Sequence, residues 1–502
     1  MPNILSMCFW LAWSFIFHQL CVVIYRLYFH PLARYPGPRL AAVTFWWECY
    51  QDIFAGQGGE FTNQLEEMHD AYGSIVRVTP DEVHIRDPEW APVLYAGPGH
   101  VRDKDASLAH SAGTADGTFG TVSHDIHRRR RAPVSSYYSK ASVAKNMYDK
   151  IWQQAERLSE LLREHHRTGT VVNARTTFLG WSNDTLSICS FGKSHSLLDD
   201  PEKTIALNEV LKSFAIAFPI LRQCGWIIPL ALSLPVAPFK YINKPLATLL
   251  NTHVGMIRRA EEHRKEYLSA KEGKNGRDWQ QSSLFHALMA SRLPEAEKRP
   301  KRMAHEGFEI LLAGSDTAAR TMGVAIYHIL ANPEIKCRLQ VELDTAIPNS
   351  YDQIELRVLE QLPFLNAVLK EVLRIGKITD HRLTLIAPNE TLQYREWIIP
   401  AGTRVSMTPT RNSFDERFFP EPNRFRPERW LQSGERLAAM NRVFMPFARG
   451  RRACLGMHFA QVELQVGLAS LFRRFVSEWT CHHLRTPDCN RFTSQSGDGI
   501  MQ

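Results

Sequence analysis

The chain begins with a stretch that a soluble core does not readily absorb. From Ile4 to Tyr25, 22 residues read ILSMCFWLAWSFIFHQLCVVIY, and His18 and Gln19 are the only strongly polar members. About 20 such residues cross a bilayer as a helix. No charged segment precedes the run and no small-residue cleavage site follows it, which argues against a cleaved signal peptide. A buried core helix is the competing reading, but cores rarely use so long an apolar run. Arg26, Arg34 and Arg39 follow it and no Lys or Arg comes before, so the positive-inside rule places the bulk of the chain in the cytosol. HPLARYPGP (30–38) then supplies three prolines and a glycine, which cannot continue a helix and read as a stiff elbow. On cytosolic topology the sequons at Asn183 and Asn389 stay unglycosylated.

The rest must be a folded globule. Apolar residues make up 44% and charged residues 22%, a globular profile. The nine cysteines are odd in number and never closer than eight residues, which excludes a disulfide scaffold and any CxxC zinc or redox site. The +8 charge suits an acidic partner or an anionic membrane, but no basic block interleaved with aromatics points to nucleic acid. No dinucleotide fingerprint, P-loop, H-E-x-x-H or G-x-S-x-G occurs.

Apolar spacing predicts mainly α structure with small β-sheets. SIVRVTPDEVHIRDP (74–88) reads as a hairpin around Pro80-Asp81. Leu365, Val368, Leu369, Val372 and Leu373 form a helical stripe. Met303 to Ala331 carries no proline and predicts a helix of about eight turns. KEGKNGRDWQQS (271–282) reads as one exposed loop. We find no repeat and no long linker. The expected organisation is an anchor (1–25), an elbow (26–40) and one domain (41–502).

The chemistry concentrates in FARGRRACLG (447–456). Cys454 stands among glycines and arginines, just before the helical-looking HFAQVELQVGLASLF. A helix N-terminus and nearby arginines favour a thiolate, and a thiolate is a strong soft ligand for iron. A lone cysteine is more often a small buried hydrophobe. The pattern F-x-x-G-x-R-x-C-x-G, filled by Phe447, Gly450, Arg452, Cys454 and Gly456, tells against that here.

This loop resembles the haem-binding loop of the cytochrome P-450 family of haem-thiolate monooxygenases, and YFHPLARYPGPRLAA (28–42) is similar to the post-anchor segment of its fungal microsomal members. The resemblance implies a single-domain cytochrome P-450 fold with an N-terminal transmembrane helix. It implies haem b with Cys454 as the iron ligand. LLAGSDTAA (311–319) is similar to the family's oxygen-binding motif. Ala313 and Gly314 there leave space beside the helix, Thr317 serves bound oxygen, and Asp316 relays protons. Glu371-x-x-Arg374 with Arg429 of FRPERW is similar to the family's buried network supporting the haem loop, a structural role. In SHDIHRRRRAPVSSYYS (123–139), His127 and Arg131 fall where the family binds haem propionates, and Arg382 of HRLTL stands where it has another such arginine, although Thr384 and Leu385 replace its neighbours.

No flavin or nicotinamide domain is present, so the resemblance implies NADPH–cytochrome P-450 reductase as electron donor at an endoplasmic reticulum membrane. Arg128, Arg130, Arg449 and Arg451 are the expected basic docking face for it. LPEAEKRPKRMAHEGFEILLAGSDTAA looks nearest to the trichodiene oxygenase group, which implies O2 and a terpenoid or another lipophilic secondary metabolite as substrates. Segment 211–239, apolar and broken by prolines, is expected to roof the pocket. The tail after Phe475 is shorter and more polar than the family's strand-rich tail. That departure keeps open a non-catalytic haem binder or inactive relative. An oxygen-independent isomerase is a further alternative.

Overall fold

The computed structural model describes residues 4–475, apart from 57–58, 112, 228–229, 231–232, 235, 238, 272–282, 348 and 350–351. The expected loop at 271–282 and the polar tail therefore lie, but for Lys271, outside the described residues.

Twelve helices carry the argument: α1 (Ile4–Ile24), α2 (Trp46–Ile53), α3 (Phe61–Tyr72), α4 (His124–Tyr137), α5 (Tyr148–Thr168), α6 (Ala174–Phe191), α7 (Pro201–Gln223), α8 (Lys244–Lys271), α9 (Pro300–Leu330), α10 (Pro333–Ala346), α11 (Pro363–Ile375) and α12 (Met457–Arg474). The apolar N-terminal run is α1. Its Phe9, Trp10, Trp13 and Phe15 are all exposed. A helix apolar on every side with no protein around it has only lipid to bury it. Ser6–Phe29 is long and apolar enough to cross a membrane.

The elbow is tied down. Arg77 donates to the carbonyls of Arg26 and Leu32, and its backbone N–H donates to Pro36 O at 2.7 Å. Leu32 is buried and the Tyr35 hydroxyl donates to Ile398 O. Stiffness from proline is thus reinforced by hydrogen bonds to the first strand.

Among the described residues seven strands form two sheets: β1 (Ile75–Thr79), β2 (Glu82–Ile85), β3 (Asp103–Lys104), β4 (Leu383–Ile386), β5 (Leu392–Tyr394), β6 (Trp397–Ile399) and β7 (Arg404–Met407). The expected hairpin is β1–β2, antiparallel across Pro80-Asp81. It continues as β1-β2-β7-β4-β3, with β2 and β7 parallel, and β5–β6 stands apart. Every residue of β1 and β2 is buried, so the polar alternate positions face protein and must find partners there.

The long helix α9 is the axis of the molecule. It runs 31 residues, about 46 Å at 1.5 Å per residue. It starts three residues earlier than the spacing suggested, because Pro300 is tolerated in a first helical turn. α6, α8 and α12 pack along it, and Trp181, Phe285, Met322 and Leu468 sit in that shared core. In α11, Leu365, Val368, Leu369 and Val372 face the same core.

Candidate active site

The cysteine loop approaches the protein interior along a path that only a glycine permits. Gly450 has φ +74°, and a Cβ there would lie 2.4 Å from Tyr95 O. The Cys454 N–H donates to Phe447 O at 2.8 Å, closing the loop. Gly456 caps α12, and its N–H donates to the Cys454 sulfur. Cys454 shows accessible surface although protein surrounds it, so that surface faces inward. Burial pushes its thiol above the ordinary value, while the Gly456 N–H and the Arg131 charge oppose the shift. The loop N–H and the arginine charge thus favour the thiolate, against desolvation.

Three cationic side chains and a buried neutral histidine come together around Arg131, which acts on this sulfur. α4 supplies His127, which is buried, and Arg131, which acts electrostatically on Cys454. Arg452 donates through Nη1 to Thr121 O and through Nη2 to Val122 O, both at 2.6 Å, and its buried Nε has no partner. The fourth is Lys104 of β3, whose Nζ donates to Phe119 O at 2.7 Å and lies 3.4 Å from the Phe119 ring centroid. Burial first, then the mutual repulsion of these groups, moves Lys104 down to about 7, His127 to about 2 and Arg452 to about 10. Asp103, Glu306 and Glu309 act on these cations from the protein side, yet three buried or half-buried cations in one place still make a cradle for an anion.

Across the interior, α9 presents Ala313 and Thr317 on one face, four residues apart. Ala313 is exposed and the Thr317 hydroxyl donates to Ala313 O at 2.9 Å. Asp316 pairs with Arg175 of α6, and Arg320 Nη1 lies 3.9 Å from its other oxygen. Arg175 Nε in turn donates to Asn208 Oδ1 of α7 at 3.0 Å. Gly314 does not add to the open space. A Cβ there would fall 2.6 Å from Leu186 Cδ2, so its small size serves the packing of α6 on α9. Only Ala313 of the small pair is exposed.

Behind the cysteine loop, Glu371 is saturated. Arg374 Nε and Nη2 grip it at 2.9 and 2.8 Å, Arg429 Nε at 3.1 Å, Trp430 Nε1 at 2.9 Å and the Arg426 N–H at 3.0 Å. Arg374 Nη1 goes on to Ser413 O and Pro422 O.

A family model for cytochrome P450 matches residues 41–496. This chain belongs to the cytochrome P450 family. It is 34% identical to the cytochrome P450 monooxygenase tpcC of Cochliobolus heterostrophus, over 92% of this chain and 87% of the relative. It is also 34% identical to the tryptophan 6-hydroxylase fscE of Fusarium equiseti, over 92% and 89%. To the monooxygenase oblB of Emericella variicolor it is 35% identical, over 90% and 83%. The enzyme is therefore a P450 monooxygenase, of a family whose haem iron is held by a cysteine.

The residues present fit haem. The cysteine faces inward, a cationic cradle suited to carboxylates adjoins it, and the buried Arg452 Nε lacks a partner. Arg382 does not join that cradle. Its Nη2 binds Glu48 at 2.6 Å and its Nε binds Glu82 at 2.8 Å. Both carboxylates come from within the chain, so the guanidinium is already neutralised. Burial opposes the Arg382 charge, yet the two glutamates hold it protonated above its ordinary range. The expected docking face also loses a member. Arg130 is bound by Glu297 at 2.8 and 3.1 Å and points into the fold, whereas Arg128 is exposed.

Two interior residues of this P450 went unnoticed in the sequence. Lys104 has no local signal and reaches the cradle only through the pairing of β3 with β4. His381, inward-facing against the Phe218 ring at 5.1 Å, is pushed down to about 4 by burial and by Arg222.

Proposed function

We propose that this P450 hydroxylates or epoxidises a lipophilic small molecule, a terpenoid or similar secondary metabolite, with electrons from NADPH delivered by a separate reductase. The reading rests chiefly on one arrangement: an inward-facing Cys454 beside Arg131, with Ala313 and Thr317 on one face of α9. Haem held through a thiolate supplies O2 activation and transfer of one oxygen atom, and sulfur donation favours O–O cleavage. Cys454 is the ligand. His127, Arg131, Arg452 and Lys104 hold the propionates, with Phe447, Gly450 and Gly456 shaping the loop beneath. The Thr317 hydroxyl holds a proton at the reacting face, and Asp316 passes protons inward from the solvent side, a general-acid role. Ala313 leaves room between them, and Glu371, Arg374 and Arg429 keep the loop in place.

The enzyme sits on the cytosolic side of the endoplasmic reticulum membrane, held by α1 as a single span. Ile216, Ile220 and Trp226 near the end of α7, and Trp46 and Tyr50 of α2, are exposed on two adjacent helices and give the domain a second apolar contact with lipid. Phe218 and His381 line the substrate side.

The reduced, CO-bound spectrum of haem-loaded protein tests the ligand. A red-shifted Soret band is expected, and Cys454→Ser abolishes it. A wild-type spectrum without that band overturns the reading. NADPH oxidation with reductase and a terpenoid panel then tests turnover. Because one relative is named as a tryptophan 6-hydroxylase, the panel includes tryptophan. Peroxide as the only product from every compound, with intact thiolate haem, would favour the non-catalytic alternative.

A further inference from the structure

Loop 113–122, between β3 and α4, is gripped from two sides. On one side α9 offers two carboxylates. Glu309 accepts from the Thr114 hydroxyl at 2.6 Å and from the N–H groups of Phe119 and Gly120 at 2.9 and 3.0 Å. Glu306 accepts from the Thr118 hydroxyl and N–H at 3.0 and 3.2 Å. The loop wraps Glu309 so closely that a Cβ at Gly117 would lie 2.3 Å from its carboxyl. On the other side the same loop supplies the Thr121 and Val122 carbonyls to Arg452 and the Phe119 carbonyl to Lys104.

Phe119 joins the two sides directly. Its N–H goes to Glu309 and its carbonyl to Lys104, across a single residue. The next residues, Gly120 to Val122, run from Glu309 to Arg452. A shift of this short stretch away from α9 must therefore move both acceptors that aim the cradle. Glu309 itself lies four residues before Ala313 and eight before Thr317, on the same face of α9.

We infer that Glu309 is a positioning residue for the cradle beside Cys454: it fixes loop 113–122 at the setting from which that loop aims Lys104 and Arg452. The inference uses the proposed function only in taking Lys104 and Arg452 as holders of haem. The hold on the loop stands on the hydrogen bonds alone. Arg130 adds bonds to Ala115 O and to the Thr121 hydroxyl, so loss of Glu309 loosens the loop without unfolding the domain.

The test compares wild-type, Glu309→Ala, Glu309→Gln and Glu309→Asp full-length proteins. Two quantities are read: hydrogen exchange of a peptide covering 113–122, and the rate at which haem passes to apomyoglobin. Removing the acceptor carboxyl from three donors is expected to speed local exchange by roughly ten- to a hundredfold. Haem transfer should accelerate several-fold in the same variants, and Glu309→Asp, which keeps a carboxyl, should recover part of both. Unchanged loop exchange in the Ala and Gln variants overturns the inference. So does faster exchange with wild-type haem retention, which would make Glu309 a local staple only. If Glu309→Ala does not fold, the Gln and Asp pair decides. A wild-type protein that binds no haem would sink the proposed function instead, and the exchange result would still decide whether Glu309 holds the loop.

Discussion

Two buried clusters of arginine and carboxylate, around Glu371 and around Glu82, are built differently. Around Glu371 both oxygens are engaged, by two arginines, an indole and a backbone N–H, and Glu371, Arg374 and Arg429 are almost fully inaccessible. Around Glu82, Arg382 bridges to Glu48, and the hydroxyls of Ser406 and Thr384 add bonds at 2.6 and 3.1 Å. Burial would raise Glu82, but Arg382 and Arg404 hold its carboxyl well below the usual range. Arg222 of α7 enters this second cluster without completing it. Its Nε stops 3.7 Å from Glu48, and its buried Nε and Nη2 have no hydrogen-bond partner. A saturated cluster has one arrangement and acts as scaffold. A cluster with an unpaired guanidinium edge is less fully specified.

Removing one partner breaks that comparison most sharply. Glu371→Ala leaves two buried guanidinium groups uncompensated and is expected to cost about 3–5 kcal/mol. Urea unfolding would show it, together with loss of haem content. A shift equivalent to less than about 1 kcal/mol would remove the scaffold role, since ordinary surface changes cost that little.

A third buried carboxylate sharpens the point, because it has no cation at all. Glu463 of α12 is pushed up to about 8 by burial, and its Oε1 lacks a partner. Unfolded, it titrates near the ordinary value of 4.5. Between these values the folded state holds a proton that the unfolded state has lost, so stability falls as pH rises from about 4.5 to 8. Glu463→Gln removes this slope and is expected to stabilise the chain by roughly 3 to 4 kcal/mol at pH 7, the order given by about 1.4 kcal/mol per pH unit. Denaturant titrations at pH 5 and pH 7.5 check it. An equal gain at both pH values would contradict a neutral buried carboxyl.

Arg222→Met should do much less. The side chain makes no hydrogen bond through its buried edge, and an apolar replacement of a buried ion is often neutral or stabilising. We expect a change within about 1 kcal/mol in urea unfolding. A loss comparable to that of Glu371→Ala would mean that the two clusters are alike after all.

The contrast also explains what could be read in the sequence. Glu371 and Arg374 are three residues apart on one helix, and the cysteine loop is ten contiguous residues, so local spacing exposes both. Thr317 and Ala313 came from the likeness of LLAGSDTAA to the family's oxygen-binding motif, and the helix period puts them on one face. Arg382 misled because its partners Glu48 and Glu82 are 334 and 300 residues away, and only the sheet and α2 bring them together. Lys104 was missed for the same reason. Gly314 was read as open space because a missing side chain says nothing about which neighbour uses the room; Leu186 of α6 does. The desolvation of Cys454 was not legible, because it is set by everything packed around the thiol and not by its neighbours in sequence.

The smallest effect is expected at the surface, where arginines have solvent as their alternative partner. Arg128 is well exposed and only 3.9 Å from Asp125, while Arg449 donates to Arg442 O. Arg130, two residues from Arg128, is held by Glu297 inside the fold. Charge reversal should separate these neighbours. Arg128→Glu with Arg449→Glu should leave unfolding within about 0.5 kcal/mol but flatten the dependence of reductase-driven electron transfer on ionic strength. The rate should fall a few-fold at low salt and converge with wild type at high salt, where charges are screened beyond a few ångströms. Arg130→Glu should instead destabilise the protein, because it sets two carboxylates against each other in a partly buried place. If Arg130→Glu changed the salt dependence without changing stability, the geometry would be wrong about which arginines face outward. If the double variant left the salt dependence untouched, the electron donor would have to dock elsewhere.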